Sequence, residues 1–289
     1  MKRRTIFGIA LATLLSGCIT TNTPQAHNTE PVLVIMTSGG FADAMDDLEP
    51  EFERQIGQDI LIIKGSSAGG AVDSIPERLK RGERADVVIL SREGHDLLLQ
   101  QNLVQKGSSR DLVRSLIGMA VREGAPVPDI STIERFNAVM LAAPSIGYSA
   151  SASGTYLATD LWPRLGLADQ LMPKSRRILS ERVGSVVARG EVAIGFQQMS
   201  ELLPIKGITV VGPIPCAYQK ITIFTAAQTL KGAGNPYSDK LTAFLTSPKT
   251  TTAIRASGLD PVDNSAASSM PCRTLFMETE LRPSRSRDP

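Results

Sequence analysis

Cysteine, histidine and aromatic side chains are scarce in this chain of 289 residues, which carries three Cys, two His, one Trp and 4% aromatic residues. So few thiols and imidazoles leave no metal cluster to build. So few aromatics give no stacking platform for single-stranded nucleic acid. Charge of one sign is lacking too. The 31 Lys+Arg stand against 29 Asp+Glu, so there is no bulk basic field and any anion site has to be assembled locally. No P-loop, zincin, serine-hydrolase or dinucleotide fingerprint occurs, and no cofactor is expected. What is present is ordinary: 42% hydrophobic and 21% charged residues, which argues against wholesale disorder. At roughly 100–200 residues per domain, the length suits two lobes or one large α/β unit.

The first eighteen residues read as an export signal. Lys2, Arg3 and Arg4 precede a short apolar run, Ile6 to Leu15, too short for the roughly 20 residues that cross a bilayer core. Without those three cations the charge balance falls just below neutrality. The run ends Leu15-Ser16-Gly17-Cys18, similar to a bacterial lipobox in which Cys18 becomes the lipid-bearing first residue. An ordinary cleaved signal with an incidental Cys18 is the plainer alternative. Polar residues 19–31 then serve as a tether. This places the protein in the periplasm, touching a membrane only through a lipid anchor. Cys216 and Cys272 remain, and in an oxidising compartment they can pair.

The body alternates strand and helix signals, which implies right-handed crossovers and parallel pairing. Val32 to Met36 is an apolar run suited to a strand buried on both faces. Phe41, Met45, Leu48, Phe52 and Ile56 form one helical face with Gly57 as its stop. Pro50 predicts a kink there, or two short helices. Strands are expected at 59–64 and 85–90, with a helix bearing Val72, Ile75 and Leu79 between them, and Ser91 capping the next helix. The second half repeats the pattern, with strands at 116–121, 145–149, 192–196, 208–211 and 220–225. Helices are expected near 155–165, 183–190 and 238–245. Trp162 and Tyr156 are expected to pack a helix onto its sheet.

Three Ser/Gly turns sit where a strand meets a helix: 37–40, 65–70 and 149–154. A helix N-terminus presents unpaired N–H groups with about half a positive charge, Gly allows close backbone approach, and Ser adds a hydroxyl. The candidate ligand contacts are Ser38 and Gly39, then Ser66 and Ser67, then Ser149, Ser153 and Gly154. For any single turn, a plain helix cap is the better explanation of the composition, and only the three together point to a ligand. Their convergence on one anion requires a cleft floor that is not paved with acidic side chains.

These residues carry a family resemblance. Residues 34–41, Phe52-Glu53 through Gly57, 64–69, 81–89 and 187–195 resemble the periplasmic molybdate-binding proteins, over about 32–260. The resemblance implies an α/β, two-lobed type II periplasmic-binding-protein fold with mixed sheets flanked by helices and the ligand in the interlobe cleft. Lobe 1 would be 32–112 plus 221–262, lobe 2 would be 113–220, and 263–289 would be a tail. Ser38 and Ser66 or Ser67 would donate from the first lobe; Ser153 and the backbone near 180–182 would donate from the second. Where the family places a ligand tyrosine, this chain has Gly195-Phe196-Gln197-Gln198. The wording at 117–126, 128–132 and 148–154 looks like a divergent branch that includes bacterial aconitate isomerases. In that branch Arg92, Arg182 and Gln198 are candidates for carboxylate contacts, and His95 or Glu181 for a base that shifts an allylic proton. The plainer reading makes His95 a half-buried helix residue, and Arg92 and Arg182 solvated helix-end charges. The expected function is capture of a small oxyanion, molybdate- or tungstate-like, or of an organic tricarboxylate, for an ABC permease. The alternative is isomerisation on the same fold. A regulator's effector domain is disfavoured by the export signal and the lack of a DNA-binding segment.

Overall fold

The computed structural model describes residues 32–68 and 70–262. Cys18, the export signal, the tether 19–31 and the tail 263–289 lie outside the described residues. Strands β1 (Val34–Ser38), β2 (Leu61–Gly65), β3 (Val87–Ser91), β4 (Arg110–Ser115), β10 (Thr222–Gln228) and β11 (Asp260–Pro261) form a six-stranded sheet ordered β11-β4-β10-β3-β1-β2. Strands β5 (Ile117–Arg122), β6 (Ile146–Ser149), β7 (Ser175–Ile178), β8 (Ile194–Gln198) and β9 (Ile208–Pro213) form a second sheet ordered β7-β6-β8-β5-β9. Both sheets are mixed. β1, β2 and β3 run parallel, as do β6, β7 and β8, while β4, β5, β9, β10 and β11 pair antiparallel. The chain enters the second sheet at Leu116, directly after β4, and returns between β9 and β10.

The continuous apolar run at β1 is buried at every position, as a central strand covered on both faces must be. Its helix α1 (Gly39–Ile56) is a single 18-residue helix ended by Gly57 in the left-handed region, φ 68°. The split into two short helices offered at Pro50 does not occur, because Phe41, Met45, Leu48 and Phe52 are all buried against the first sheet and their packing outweighs the one hydrogen bond proline cannot donate. A second expectation also fails. α2 begins only at Ile75 and runs to Lys80, so the 65–70 turn does not lead straight into a helix, and Val72 is 79% exposed. Ile75 and Leu79 are buried as expected. α3 (Arg92–Gln100) is capped by Ser91, whose Oγ accepts from the Gly94 N–H at 3.3 Å.

Among the elements that the sequence did not predict are β4, β7 and helix α4 (Ile133–Ala142). α4 starts at Thr132, whose Oγ1 accepts from the Arg135 N–H. Helix α5 (Ala152–Tyr156) continues through a π turn, Leu157–Leu161, into α6 (Trp162–Arg164). Trp162 is buried and meets Tyr148 of β6 edge-on, centroids 5.4 Å apart, so this helix is pinned to its sheet as expected. Then come α7 (Ala168–Leu171), α8 (Val183–Ala188) and α9 (Met199–Leu202). The helix expected to close the fold, α10 (Pro236–Leu245), is followed by α11 (Thr251–Ala256) and the edge strand β11. Each sheet has its own apolar core, one around Phe41, Phe52 and Phe244, the other around Phe136, Phe196 and Trp162. Among the described residues no helix is long and apolar enough to cross a membrane.

Candidate functional site

Parallel strands share a direction, so their carboxyl ends share an edge. Ser38 ends β1, Gly65 ends β2, Ser149 ends β6, Ile178 ends β7 and Gln198 ends β8. In open α/β sheets ligands sit beyond such ends. Here all five residues line one cleft of about 200 Å³ between the two sheets. That is below the roughly 300–1,000 Å³ of drug-sized pockets, which sets the scale of a small metabolite.

The three Ser/Gly turns converge there, each in its own way. Ser38 precedes α1 but its side chain caps nothing; its buried Oγ has no hydrogen-bond partner. Gly39 lies beside it on the cleft wall. Ser66 turns its hydroxyl back to the Ala68 carbonyl at 2.7 Å, and the Ser67 Oγ accepts from the Ser91 N–H at 3.0 Å, so Ser67 also ties the turn to β3. On the opposite wall, the Ser149 and Ser153 hydroxyls are 3.1 Å apart, and Ser149 Oγ accepts from the Gly154 N–H. Gly154 itself is not on the wall. A Cβ there would lie 1.9 Å from the Ser149 carbonyl oxygen, so its role is to let α5 close against β6.

Arg182 and Gln198 also line the cleft. Arg182 forms an ion pair with Asp43 of α1 at 2.6 Å, joining the two sides of the cleft. Gln198 donates from Nε2 to Thr222 Oγ1 at 2.8 Å, while its Oε1 is buried without a partner. The other candidates lie elsewhere or are occupied. Arg92 is held by Asp111 and by Thr225 Oγ1 outside the cleft. His95 is buried between Asp96 and Ser109. Glu181 reaches the cleft rim but is bound in two hydrogen bonds to Arg189.

The residue the sequence reading missed is Glu201. It lies in α9, four residues after Gln197, and is only 8% exposed. Gln197 Nε2 donates to its Oε1 at 2.9 Å, and Gln197 Oε1 in turn accepts from the Val183 N–H at 2.8 Å. Burial pushes the Glu201 carboxyl up to about 7; Arg182 and the Gln197 hydrogen bond pull it down by less, and Asp43 adds to the rise. The carboxyl faces the first turn of α1, where a Cβ on Gly39 would approach Oε1 to 2.3 Å. The only legible signal was spacing: a polar residue at the end of a buried strand followed by an acid at i+4. The cleft floor therefore carries one buried acid among serine, glycine and amide residues, rather than a paving of acidic side chains. Burial leaves this acid partly protonated near neutrality, so its charge opposes an anionic ligand less than a solvated carboxylate would.

The site combines serine hydroxyls, two amide side chains, the Arg182 guanidinium and a Glu201 carboxyl poised near neutrality, with Lys64, Asp73 and Glu181 also on its lining. Among the described residues no group of three His, Cys, Asp or Glu side chains is placed to hold a metal ion. Cys216 is disulfide-bonded, and Cys272 lies outside the described residues.

Two mixed sheets, each covered by helices, with a ligand-sized cleft at the carboxyl ends of their parallel strands, define a two-lobed periplasmic-binding fold. The chain matches the family model of bacterial extracellular solute-binding proteins over residues 33–260 and belongs to that family. It is 40% identical to an aconitate isomerase of a Pseudomonas species over 254 residues, 87% of this chain and 97% of that protein. The periplasmic molybdate-binding protein of Azotobacter vinelandii superposes with a TM-score of 0.64 at 20% identity, covering 80% of this chain and 100% of that one. A tungstate ABC transporter structure from Geobacter sulfurreducens gives 0.58 at 15% identity, covering 78% and 97%. The last two establish the fold.

Proposed function

We propose that this solute-binding protein captures a small organic carboxylate between its lobes. The observation that carries this reading is the convergence of Ser38, Ser149, Ser153, Gln198 and Arg182 on one cleft of metabolite size. Hydroxyls and amides supply neutral donors, and Arg182 supplies a planar pair of donors matched to a carboxylate. The 40% identity to an aconitate isomerase supports a carboxylate over a metal oxyanion, since the molybdate- and tungstate-related structures are alike in fold alone. Export to the periplasm, lipid attachment at Cys18, lobe boundaries near 112 and 220, the first of them moved to the end of β4 at Ser115, and delivery to an ABC permease belong to the same proposal. Metabolic labelling with palmitate, compared between the natural chain and Cys18→Ser, tests the anchor.

A thermal-shift panel of citrate, cis- and trans-aconitate, molybdate, tungstate and sulfate tests the ligand. A carboxylate at a hundredfold excess over Kd should raise the midpoint by roughly 5–10 °C. A shift with the metal oxyanions alone overturns the carboxylate; no shift with any of them overturns the present ligand class.

A second reading is catalytic: interconversion of cis- and trans-aconitate on the same scaffold. Glu201 favours it. A fixed carboxyl close to neutrality serves proton transfer, whereas a site that only captures anions gains nothing from an acid on its floor.

A further inference from the structure

We propose that Glu201 is the catalytic base and acid of this cleft, taking a proton from one carbon of a bound unsaturated carboxylate and returning it to the other end of the allylic system. This rests on the isomerase reading above and names the group that would perform it.

Three geometric observations carry the assignment. First, two acids beside Arg182 on the cleft are already engaged by cations, Asp43 by Arg182 and Glu181 by Arg189, while Asp73 lines the cleft from the loop before α2. The Glu201 carboxyl is held instead by a neutral amide, Gln197, at 2.9 Å. An amide orients a carboxyl without fixing its charge, which leaves it able to change protonation state. Second, its position is rigid. Gln197 is itself held by the Val183 N–H, and Ser200, the next residue along α9, donates from Oγ to the Gly40 carbonyl at 2.8 Å. These bonds lock α9 onto the start of α1. Third, the carboxyl reaches the cleft only because residue 39 has no side chain; a Cβ would sit 2.3 Å from Oε1 and 3.2 Å from Cδ. The near-neutral titration of the group agrees with this placement.

The chemistry balances without a co-reactant. Glu201 as carboxylate accepts the proton as a C–H bond next to a carboxylate breaks, and the electron pair spreads over the adjacent double bond and the ligand's carboxylate. The Glu201 O–H bond then breaks, a C–H bond forms at the far allylic carbon, and the double bond moves by one position. Nothing is oxidised or reduced. Arg182 and the serine hydroxyls hold the carboxylates on which the negative charge accumulates.

The test uses the purified full chain with cis- and trans-aconitate in H2O and in D2O. The natural protein should convert one isomer into the other, with deuterium entering the product in D2O only to the extent that the Glu201 proton exchanges with solvent before it is returned. Glu201→Gln should lower kcat by roughly 100-fold or more while its Kd for both aconitates stays within a few-fold. Glu201→Asp keeps the carboxyl but withdraws it by one methylene. It should recover part of the rate, with the low-pH limb of kcat/KM displaced, a change that a purely structural role would not produce. Conversion by Glu201→Gln at the natural rate overturns the assignment and leaves the isomerase reading standing. Binding without conversion by the natural protein overturns both and leaves capture standing. If Glu201→Gln does not fold, Glu201→Asp decides: an unchanged rate and pH profile overturns the assignment.

Discussion

Arg182, in the loop after β7, reaches Asp43 in the first turns of α1 at 2.6 Å, an ion pair between the two sides of the ligand cleft with each side chain about one quarter exposed. A ligand carboxylate competes with Asp43 for the same guanidinium. Arg182→Gln removes a charge-assisted hydrogen bond of roughly 1.5–3 kcal/mol, so affinity should fall about 10- to 100-fold. Asp43→Asn removes the internal competitor and should tighten carboxylate binding several-fold. Calorimetric titration of both variants checks the pair; equal affinities would show that Arg182 serves only to hold the lobes together.

Glu201 makes stability depend on pH. Its carboxyl titrates at about 7 in the folded chain against an ordinary 4.5, chiefly through burial, with Asp43 raising it and Arg182 and Gln197 opposing. The folded state therefore binds the proton more tightly than the unfolded one. The contribution is full below about pH 4.5 and is lost as pH climbs through 7. Across that window the natural protein should lose roughly 3 kcal/mol relative to Glu201→Gln. Urea midpoints measured from pH 4.5 to 8 check this, and parallel curves for the two proteins would refute it.

Gly39 and Gly154 should respond to alanine in opposite ways. At Gly39 the added methyl meets a side chain rather than backbone, the Glu201 carboxyl with Oε1 2.3 Å away. The fold should survive within about 1 kcal/mol, while turnover or ligand affinity falls as the carboxyl is displaced. At Gly154 it meets backbone, 1.9 Å from the Ser149 carbonyl oxygen, and the cost should exceed about 3 kcal/mol because neither strand nor helix can yield. Thermal melts beside ligand titrations separate the two effects.

Ser38 carries a buried hydroxyl with no hydrogen-bond partner. Ser38→Ala removes an unsatisfied polar atom, so the ligand-free protein should be as stable as before or slightly more stable. Ligand affinity should drop by roughly 5- to 15-fold, the worth of one hydrogen bond. A stability loss without an affinity change would make Ser38 a structural residue.

Pro50 lies exposed inside an unbroken 18-residue helix. Pro50→Ala restores a backbone donor and should stabilise the chain by roughly 1–3 kcal/mol without altering ligand binding, since the site is at the other end of α1. Chemical denaturation checks the first claim and titration the second.

The sheet-forming runs were legible because burial on both faces writes a strand as unbroken Val, Ile and Leu, as in β1 and β3. The Ser/Gly turns were legible because strand-to-helix junctions at a sheet's carboxyl edge favour those residues. β4, Arg110–Ser115, escaped notice since its charged residues at 110, 111 and 114 interrupt any apolar pattern; Arg92 and Asp260 compensate Asp111 and Arg114 only in three dimensions. α4 was missed because its apolar stripe follows a long Pro-rich loop. Val72 was misassigned because the loop between β2 and α2, which ends only at the cap residue Ser74, places it at helical spacing from Ile75 and Leu79.

Composition, periodicity and short-range turn chemistry lay in the sequence: an α/β chain, its alternating elements, and three hydroxyl-rich turns suited to an anion. Those are local properties, set by which residues a strand or a helix terminus tolerates. The environment of Glu201 was decided by folding alone. Gln197 is a neighbour in sequence, but Val183, Gly39 and Arg182 come from distant segments on both sides of the cleft. A carboxyl's readiness to hold or release a proton depends on the water those neighbours exclude, which no linear spacing records.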